Sequence, residues 1–233
     1  MVFGRCFEKA LGSYFDRADC TAALFKEWGT FRNFPFVYRK GESWDRLLHQ
    51  GIHLLEMFAR DDRIQVQFPP KDLQVKITRK LRGDAEFISY VDALAQLDGQ
   101  PCVIDWKTTS SRYAEEPDGL LALDPQLICY SWITGISEVA FVVFVRKHSP
   151  EIQYLKATIS EEQRREYGRL VELTITQIEA AQFGSHSGIR FPQNACTSCS
   201  HLGLCLNNQQ LIARNLVRRP GADDLDWLDE LSD

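Results

Sequence analysis

The sequence contains no apolar run near the roughly 20 residues that a membrane-spanning helix needs. It has no internal repeat, and its first residues carry no apolar stretch of the signal-peptide kind. Charge of one sign does not dominate, because 27 basic residues stand against 32 acidic ones. With 44% hydrophobic residues in a chain of 233, these absences predict a globular protein without a membrane segment, built as one large domain with at most a small appendage.

Acidic charge is concentrated at the C-terminal end of the sequence. Residues 221–233 hold six acidic residues and no basic one, so the net charge changes from −5 to +1 when this tail is left out. A near-neutral body can carry a basic groove, so net charge neither supports nor excludes a nucleic-acid partner. We expect the tail to be disordered and to offer Trp227 and its leucine neighbours to a protein partner.

Seven cysteines are an odd number, and three of them lie close together as Cys196, Cys199 and Cys205. This usage argues against a disulfide scaffold and for a reducing, cytoplasmic location. The spacing Cys-x2-Cys-x5-Cys is typical of soft metal ligands for zinc or an iron–sulfur cluster. The alternative is three free cysteines in a helical hairpin.

Residues 86–109 predict two strands joined by a tight turn at Asp98-Gly99. Side chains alternate along a strand, so Asp105 and Lys107 share one face of the second strand, while Ile104 and Trp106 take the other.

A third charged residue, Asp92, ends the first strand beside this pair. Two carboxylates can hold a Mg²⁺ ion that keeps several waters. The ammonium of Lys107 can orient an attacking water or stabilise charge that develops on a phosphate. The hairpin therefore predicts a compact polar site.

Around the hairpin, helical and strand periods alternate along the chain. An Asp124-Pro125 start predicts a helix with Gln126 and Tyr130 on one face. Ser160 and Gln163 form a capping box for a further helix, with Leu170 on its buried side. The other predicted helices cover residues 3–15, 20–32 and 44–60, and the other predicted strands cover 64–68, 73–77, 138–146 and 151–158.

The hairpin resembles the active-site motif of the PD-(D/E)XK nuclease superfamily, in its RecB-like branch. In that family an Asp closes one strand, a turn follows, and an apolar strand ends in Asp-x-Lys-Thr. Asp92, Asp105, Lys107 and Thr108 stand at these positions.

Two helices extend the resemblance. RecB-like nucleases carry a Gln-x-x-x-Tyr helix after the Asp-x-Lys strand, and Gln126 and Tyr130 match it. Their first helix follows a Gly and carries a metal-binding His. Here Gly4 is followed by Glu8 at the His position. Glutamate is an oxygen ligand suited to Mg²⁺ or Mn²⁺, and the alternative is an ordinary solvated helix residue.

The resemblance implies an α/β fold of restriction-endonuclease type, with a mixed central sheet flanked by helices. It implies metal-dependent hydrolysis of DNA phosphodiesters by an exonuclease that serves DNA repair, recombination, or phage or CRISPR DNA processing. Asp92, Asp105 and the carbonyl of Trp106 would bind Mg²⁺ or Mn²⁺, and Lys107 would position the water.

The cysteine cluster resembles that of the iron–sulfur branch, which contains the AddB-type and CRISPR-adaptation exonucleases. There a fourth cysteine lies before the first helix and completes a 4Fe-4S cluster. This sequence has no cysteine at that place, so either the chain is truncated or the fourth ligand is an unusual one. Cys20 or His201 could supply that ligand, and zinc could replace the cluster.

These patterns divide the chain into a nuclease core at 1–190, a cysteine-cluster segment at 191–220 and the acidic tail at 221–233. Two other functions stay open at this stage. One is a module that binds DNA through a nuclease-like fold without cutting it. The other is an adaptor that a metal cluster stabilises and that works through its acidic tail.

Overall fold

The computed structural model describes residues 2–66, 73–115, 119–182 and 199–216. The chain divides into two compact units, Met1–Ile175 and Thr176–Asp233. No helix in the described ranges is long and apolar enough to cross a membrane. The acidic tail lies outside these ranges.

The first unit begins with three helices: α1 (Val2–Phe15), α2 (Cys20–Gly29) and α3 (Trp44–Ala59). Side chains cap two of them in the way the sequence favours. Asp19 accepts the N–H groups of Thr21 and Ala22 at the start of α2. Ser43 accepts the N–H of Arg46 at the start of α3, which confirms the predicted helix start.

A six-stranded mixed sheet follows. Its strands are β1 (Ile64–Gln65), β2 (Leu73–Lys80), β3 (Glu86–Leu97), β4 (Gln100–Thr109), β5 (Glu138–Val145) and β6 (Glu151–Thr158). The order is β1-β3-β4-β5-β6, and β2 also pairs with β3. Among these described strands, only β4 and β5 pair in parallel. Their connection carries a short 3-10 helix (Leu120–Leu123) and α4 (Pro125–Thr134). The mixed α/β fold predicted from the sequence is confirmed.

Helices cover the sheet on both faces, so β4 and β5 contribute to two hydrophobic cores. On one face, α1, α2 and α3 pack against alternate residues such as Ile104 and Phe144. On the other face, Leu127 and Tyr130 of α4 pack against Val103 and Val143. Burial on both faces explains why β5 is a continuous apolar run in the sequence.

Gly51 allows the three N-terminal helices to approach closely. A Cβ atom there would lie 2.6 Å from Leu24 Cδ2 and 2.9 Å from Phe3 Cζ. We expect Gly51→Ala to destabilise the protein by about 1–3 kcal/mol, because the clash exceeds the roughly 1 kcal/mol gain in helix propensity. Denaturant unfolding should show this loss. Gly12→Ala in α1, where a Cβ meets no atom within 4 Å, is the matched control, and equal effects of the two changes would contradict the packing argument.

The face that is buried changes near the start of β2 and midway along its partner β3. Leu73 and its partner Ala93 belong to the first core, whereas Ile77 and Val91 belong to the second. Strict alternation would keep Leu73 and Ile77 on one face. The exchange occurs at Gln74, whose φ of 48° lies in the left-handed region that a residue other than glycine rarely adopts.

Helix α5 (Glu161–Glu179) opens with the predicted capping box, because Ser160 and Gln163 each bond the other's backbone N–H. The prediction that one side of α5 is buried is wrong for the described part of the chain. No residue of α5 is buried, and Leu170 is 56% exposed. α5 contacts α4 through Tyr167, whose ring lies 5.5 Å from that of Trp132, and through Arg164, which donates to the carbonyl of Gly135 at the end of α4.

The described part of the second unit contains two short helices, α6 (Leu202–Cys205) and α7 (Gln209–Asn215). Asn208 caps α7 through the N–H of Leu211. Helical structure is therefore present around the last predicted cluster cysteine, Cys205.

Candidate active site

The polar site lies on the face of β4 that also carries Val103. Asp105 is 1% exposed there, and its Oδ2 atom lies 2.5 Å from Nζ of Lys107. On the opposite face, Ile104 and Trp106 pack in the first core. The predicted alternation of these four residues is therefore what the structure shows.

Asp92 enters the site because β3 and β4 separate at this point. Their paired residues run from Leu97–Gln100 to Ala93–Ile104 and stop there. Beyond them, the carboxylate of Asp92 accepts the backbone N–H of Trp106 at 2.9 Å. A side chain thus replaces the strand partner that this N–H would otherwise have. The bond fixes Asp92 next to the backbone of the residue between Asp105 and Lys107.

Glu8 reaches the same region from α1. The helix lies close to β4, because a Cβ atom at Gly4 would be 3.1 Å from Thr108 Oγ1. One turn later, the Glu8 carboxylate accepts a hydrogen bond from the side-chain amide of Gln74. The same amide donates to Asp92 Oδ1 at 3.3 Å. Glu8 and Asp92 therefore share one donor.

Gln74 is a site residue that the sequence did not indicate. In the sequence it is one polar position in an alternating strand, with no motif around it. Its left-handed backbone conformation turns its amide toward the two carboxylates. Such a conformation in a non-glycine residue persists only where surrounding contacts impose it. No local pattern could have revealed it.

Helix α4 supports Lys107 from the side. Nζ of Lys107 donates to Gln126 Oε1 at 2.9 Å, and Gln126 Nε2 donates to the Tyr130 hydroxyl at 2.8 Å. Asp124 caps this helix at the N–H groups of Gln126 and Leu127. Burial raises the pKa of Tyr130 to about 12, so its hydroxyl is neutral at physiological pH. The structure therefore brings the predicted Gln-x-x-x-Tyr pair to the ammonium of Lys107.

The site holds more negative charge than its one lysine balances. Burial, and then the charge of Asp92, raise the pKa of Asp105 to about 7 despite the opposing effect of Lys107. Burial raises the pKa of Asp92. Burial and the charge of Asp92 raise the pKa of Glu8. All three carboxylates are thus less acidic than usual, and a bound cation would reverse this effect.

The donor set fits a hydrated divalent cation. Oδ2 of Asp105 is buried and forms an ion pair with the ammonium of Lys107 at 2.5 Å. All available donors are oxygens, which Mg²⁺ and Mn²⁺ prefer. Among the described residues, no three His, Cys, Asp or Glu side chains converge as a complete metal-binding group. A cation here would rest on Asp92, Asp105, backbone oxygen and water.

The cysteine-cluster prediction falls partly outside the described ranges, because Cys196 is not among them. Cys199 is half-buried and Cys205 is exposed, and neither forms a disulfide. Cys20 is buried in the first core, and burial raises its pKa. A buried thiol of this kind is a poor metal ligand.

A known protein family and two solved structures are similar to this chain over most of its length. A family model of the PD-(D/E)XK nuclease superfamily matches residues 2–206. Two solved structures are similar over most of the chain. One, of a proposed exonuclease from Eubacterium rectale, has 17% identity and a TM-score of 0.49, and the match covers 100% of this chain and 80% of that one. The other, of the protein SSO0001, has 18% identity and a TM-score of 0.38, with 86% and 85% covered.

No curated protein sequence matches the chain. The family match nevertheless spans the predicted motif strand and, along the sequence, every described element from α1 to α6. It includes all the carboxylates, the lysine and the glutamine–tyrosine pair that the fold brings together. The chain therefore belongs to the PD-(D/E)XK nuclease superfamily.

Proposed function

We propose that the protein is a deoxyribonuclease that hydrolyses DNA phosphodiesters with Mg²⁺ or Mn²⁺ and removes nucleotides from DNA ends. The observation that carries this proposal is the buried Asp105 carboxylate, which lies beside Asp92, is paired with one ammonium and has its pKa raised to about 7. Buried carboxylates with too little positive charge around them are less acidic than usual, and a divalent cation would supply the missing charge.

Each side chain of the site would have a separate role in this reaction. Asp92 and Asp105 would hold the cation, with the carbonyl of Trp106 as a further ligand. A bound cation would lower the pKa of a coordinated water and neutralise phosphate charge. Gln126 orients the ammonium of Lys107, which can hold the attacking water or stabilise charge on the phosphate. The amide of Gln74 holds the carboxylates of Glu8 and Asp92 side by side.

The test is a cleavage assay on end-labelled linear DNA and on circular single-stranded DNA, with Mg²⁺, with Mn²⁺ and with chelator. We expect metal-dependent release of short products from the linear substrate and none from the circle. Cleavage of the circle would show endonuclease action. Binding without cleavage under every condition would favour the alternative of a non-cleaving DNA-binding module.

Glu8→Gln distinguishes a metal-site role for Glu8 from an ordinary helix position. The change keeps the shape and removes a charge that lies close to Asp92. We expect it to raise the Mg²⁺ concentration needed for half-maximal activity about tenfold, with a smaller effect on the rate at saturating Mg²⁺. Glu166→Gln, on the exposed side of α5, removes the same charge outside the site. An identical Mg²⁺ requirement for Glu8→Gln and wild type would assign Glu8 a structural role only.

The cysteine segment predicts a second, structural metal. Protein purified without oxygen should contain iron and acid-labile sulfide, or zinc in their place, because Cys196, Cys199 and Cys205 supply closely spaced soft ligands. Elemental analysis of wild type and of Cys199→Ser measures this. A folded wild-type protein without iron or zinc would contradict the prediction.

We further propose that the acidic tail recruits a protein partner in repair, recombination, or phage or CRISPR DNA processing.

A further inference from the structure

The strand beside the motif strand contributes an aromatic side chain directly next to the candidate active site. Phe141 of β5 pairs with Asp105 of β4. Phe141 also packs in the second core together with Val103, so it lies on the face of the sheet that carries Asp105. Neighbouring strands lie about 4.8 Å apart, and Phe141 is therefore the immediate neighbour of Asp105 on this face.

The Phe141 ring joins the site to the loop that follows β4. We refer to residues 110–115 as the site loop. Nζ of Lys107 lies over the Phe141 ring, 4.9 Å from its centroid. The ring of Tyr113, in the site loop, meets the same ring edge to face, with the centroids 6.3 Å apart. The ammonium of Lys107 and the ring of Tyr113 are thus neighbours across a single side chain. Tyr113 is 38% exposed, whereas Phe141 is buried beneath it.

A buried glutamine holds the site loop on this face of the sheet. Gln153 of β6 is 5% exposed, and its Oε1 accepts the backbone N–H of Tyr113 at 2.9 Å. Its Nε2 donates to the carbonyl of Tyr113 at 3.3 Å and to Glu115 Oε1 at 2.8 Å. Gln153 pairs with Val143, which in turn pairs with Lys107, so it lies in the same cross-strand row as the lysine. The backbone of Tyr113 is fixed at both its N–H and its carbonyl, and a ring held in this way loses little freedom when it binds a ligand.

Carboxylates already neutralise the cation of the site loop. Arg112 forms ion pairs with Glu115 and, at 3.0 Å, with Glu151 of β6. Lys147 also pairs with Glu151, at 2.6 Å. These two cations and two carboxylates compensate each other, so the loop adds an aromatic face beside the site without adding net positive charge. Such a face suits a nucleic-acid base, because every base can stack on an aromatic ring, whereas phosphate binding depends on cations.

We propose that Tyr113 is a substrate-binding residue whose ring stacks on an unpaired base of the nucleotide next to the phosphate held at Lys107. This inference rests on the proposed nuclease function and names the form of nucleic acid that the site receives. A base inside a duplex is covered on both faces, so the ring can reach a base only in a single strand or at an end. Binding of this kind tolerates any base sequence.

Two labelled six-nucleotide strands test the stacking by fluorescence anisotropy, with Ca²⁺ in place of Mg²⁺ to prevent cleavage. One strand is oligothymidylate, and the other has abasic sugars joined by the same phosphates. Tyr113→Ala should weaken binding of the thymidylate strand about tenfold and leave binding of the abasic strand unchanged, because only the first has bases to stack. The salt dependence should stay as in wild type, since the change removes no positive charge.

Further variants separate stacking from packing of the site loop. Tyr113→Phe keeps the ring and should bind both strands as wild type does. Tyr113→Leu keeps an apolar contact with Phe141 but has no aromatic face. It should unfold at a temperature close to that of wild type and bind the thymidylate strand as weakly as Tyr113→Ala. Phe25→Ala, at a position on α2 that is 54% exposed, is the matched control and should change neither affinity.

Three results would overturn the proposal: wild type binds neither strand or both equally, Tyr113→Ala keeps wild-type affinity for the thymidylate strand, or Tyr113→Ala weakens both strands alike. Cleavage of linear DNA by wild type in Mg²⁺ tests the nuclease proposal separately. If wild type cleaves DNA while Tyr113→Ala binds as wild type does, only the stacking role of Tyr113 fails. If wild type cleaves no DNA and the base-dependent effect of Tyr113→Ala is present, the nuclease proposal fails and the stacking role stands.

Discussion

Asp105→Asn should abolish DNA cleavage and at the same time raise the thermal stability of the metal-free protein at pH 8. The loss of activity should be roughly a thousandfold or more, because the variant removes a buried charged oxygen that is placed to hold the cation. The gain in stability is expected because burial of the ionised Asp105 carboxylate destabilises the fold.

The sign of the stability effect follows from the pKa shift. The pKa of Asp105 is about 7 in the folded protein, above the ordinary value of 3.8. The folded state therefore binds this proton more tightly than the unfolded state does. The favourable contribution is fully present below about pH 4 and is lost as the pH rises through 7. At pH 8 the ionised carboxylate destabilises the fold. Asparagine avoids this cost, with a gain on the order of 1–2 kcal/mol once the lost partner of Lys107 is counted.

Thermal unfolding in EDTA at pH 4 and pH 8 measures the effect. Asp105→Asn should exceed wild type at pH 8 and match it at pH 4. Asp62→Asn, at an exposed position, is the control and should change neither. A lower unfolding temperature for Asp105→Asn at pH 8 would mean that the ion pair with Lys107 outweighs the cost of burying the charge. Mg²⁺ should reverse the order at pH 8, because only wild type gains from binding it.

Lys107→Ala should reduce cleavage about a thousandfold at saturating Mg²⁺, with the fold retained. Nζ of Lys107 lies 2.5 Å from Asp105 Oδ2 and 2.9 Å from Gln126 Oε1, so these two side chains hold the ammonium in place. The Lys107 side chain is 27% exposed, which leaves the ammonium accessible to a substrate. Gln126→Leu should cost less, about tenfold, because the ammonium remains but loses the bond that orients it.

Single-turnover kinetics at saturating Mg²⁺ separates these effects from substrate binding, and Lys26→Ala on α2 is the control. Lys107→Ala should also lower metal-free stability at pH 8, since Asp105 loses the cation that opposes the rise of its pKa. Stability in this variant thus changes in the direction opposite to that in Asp105→Asn. If Lys107→Ala keeps a rate within tenfold of wild type, Lys107 is not a catalytic residue.

Local patterns in the sequence determined much of this architecture. The Asp98-Gly99 turn has positive φ at both residues, 53° and 79°, as a two-residue hairpin turn requires. The two-residue period of a strand placed Asp105 beside Lys107. The capping chemistry of Asp124 began α4 at Pro125, so that Gln126 faces the site. Each of these features depends on neighbours within about four residues, which a single sequence displays directly.

Other features were decided only by the tertiary structure. The left-handed Gln74 and its bond to Glu8 join residues 66 positions apart. The separation of β3 from β4 that admits Asp92 depends on how both strands pack against two cores. The apolar stripe of α5 predicted burial, yet Leu170 is exposed in the described part of the chain. Periodicity shows that a side chain can be buried, but only the surfaces that distant segments present decide whether it is, because burial and long-range hydrogen bonds are properties of the assembled fold.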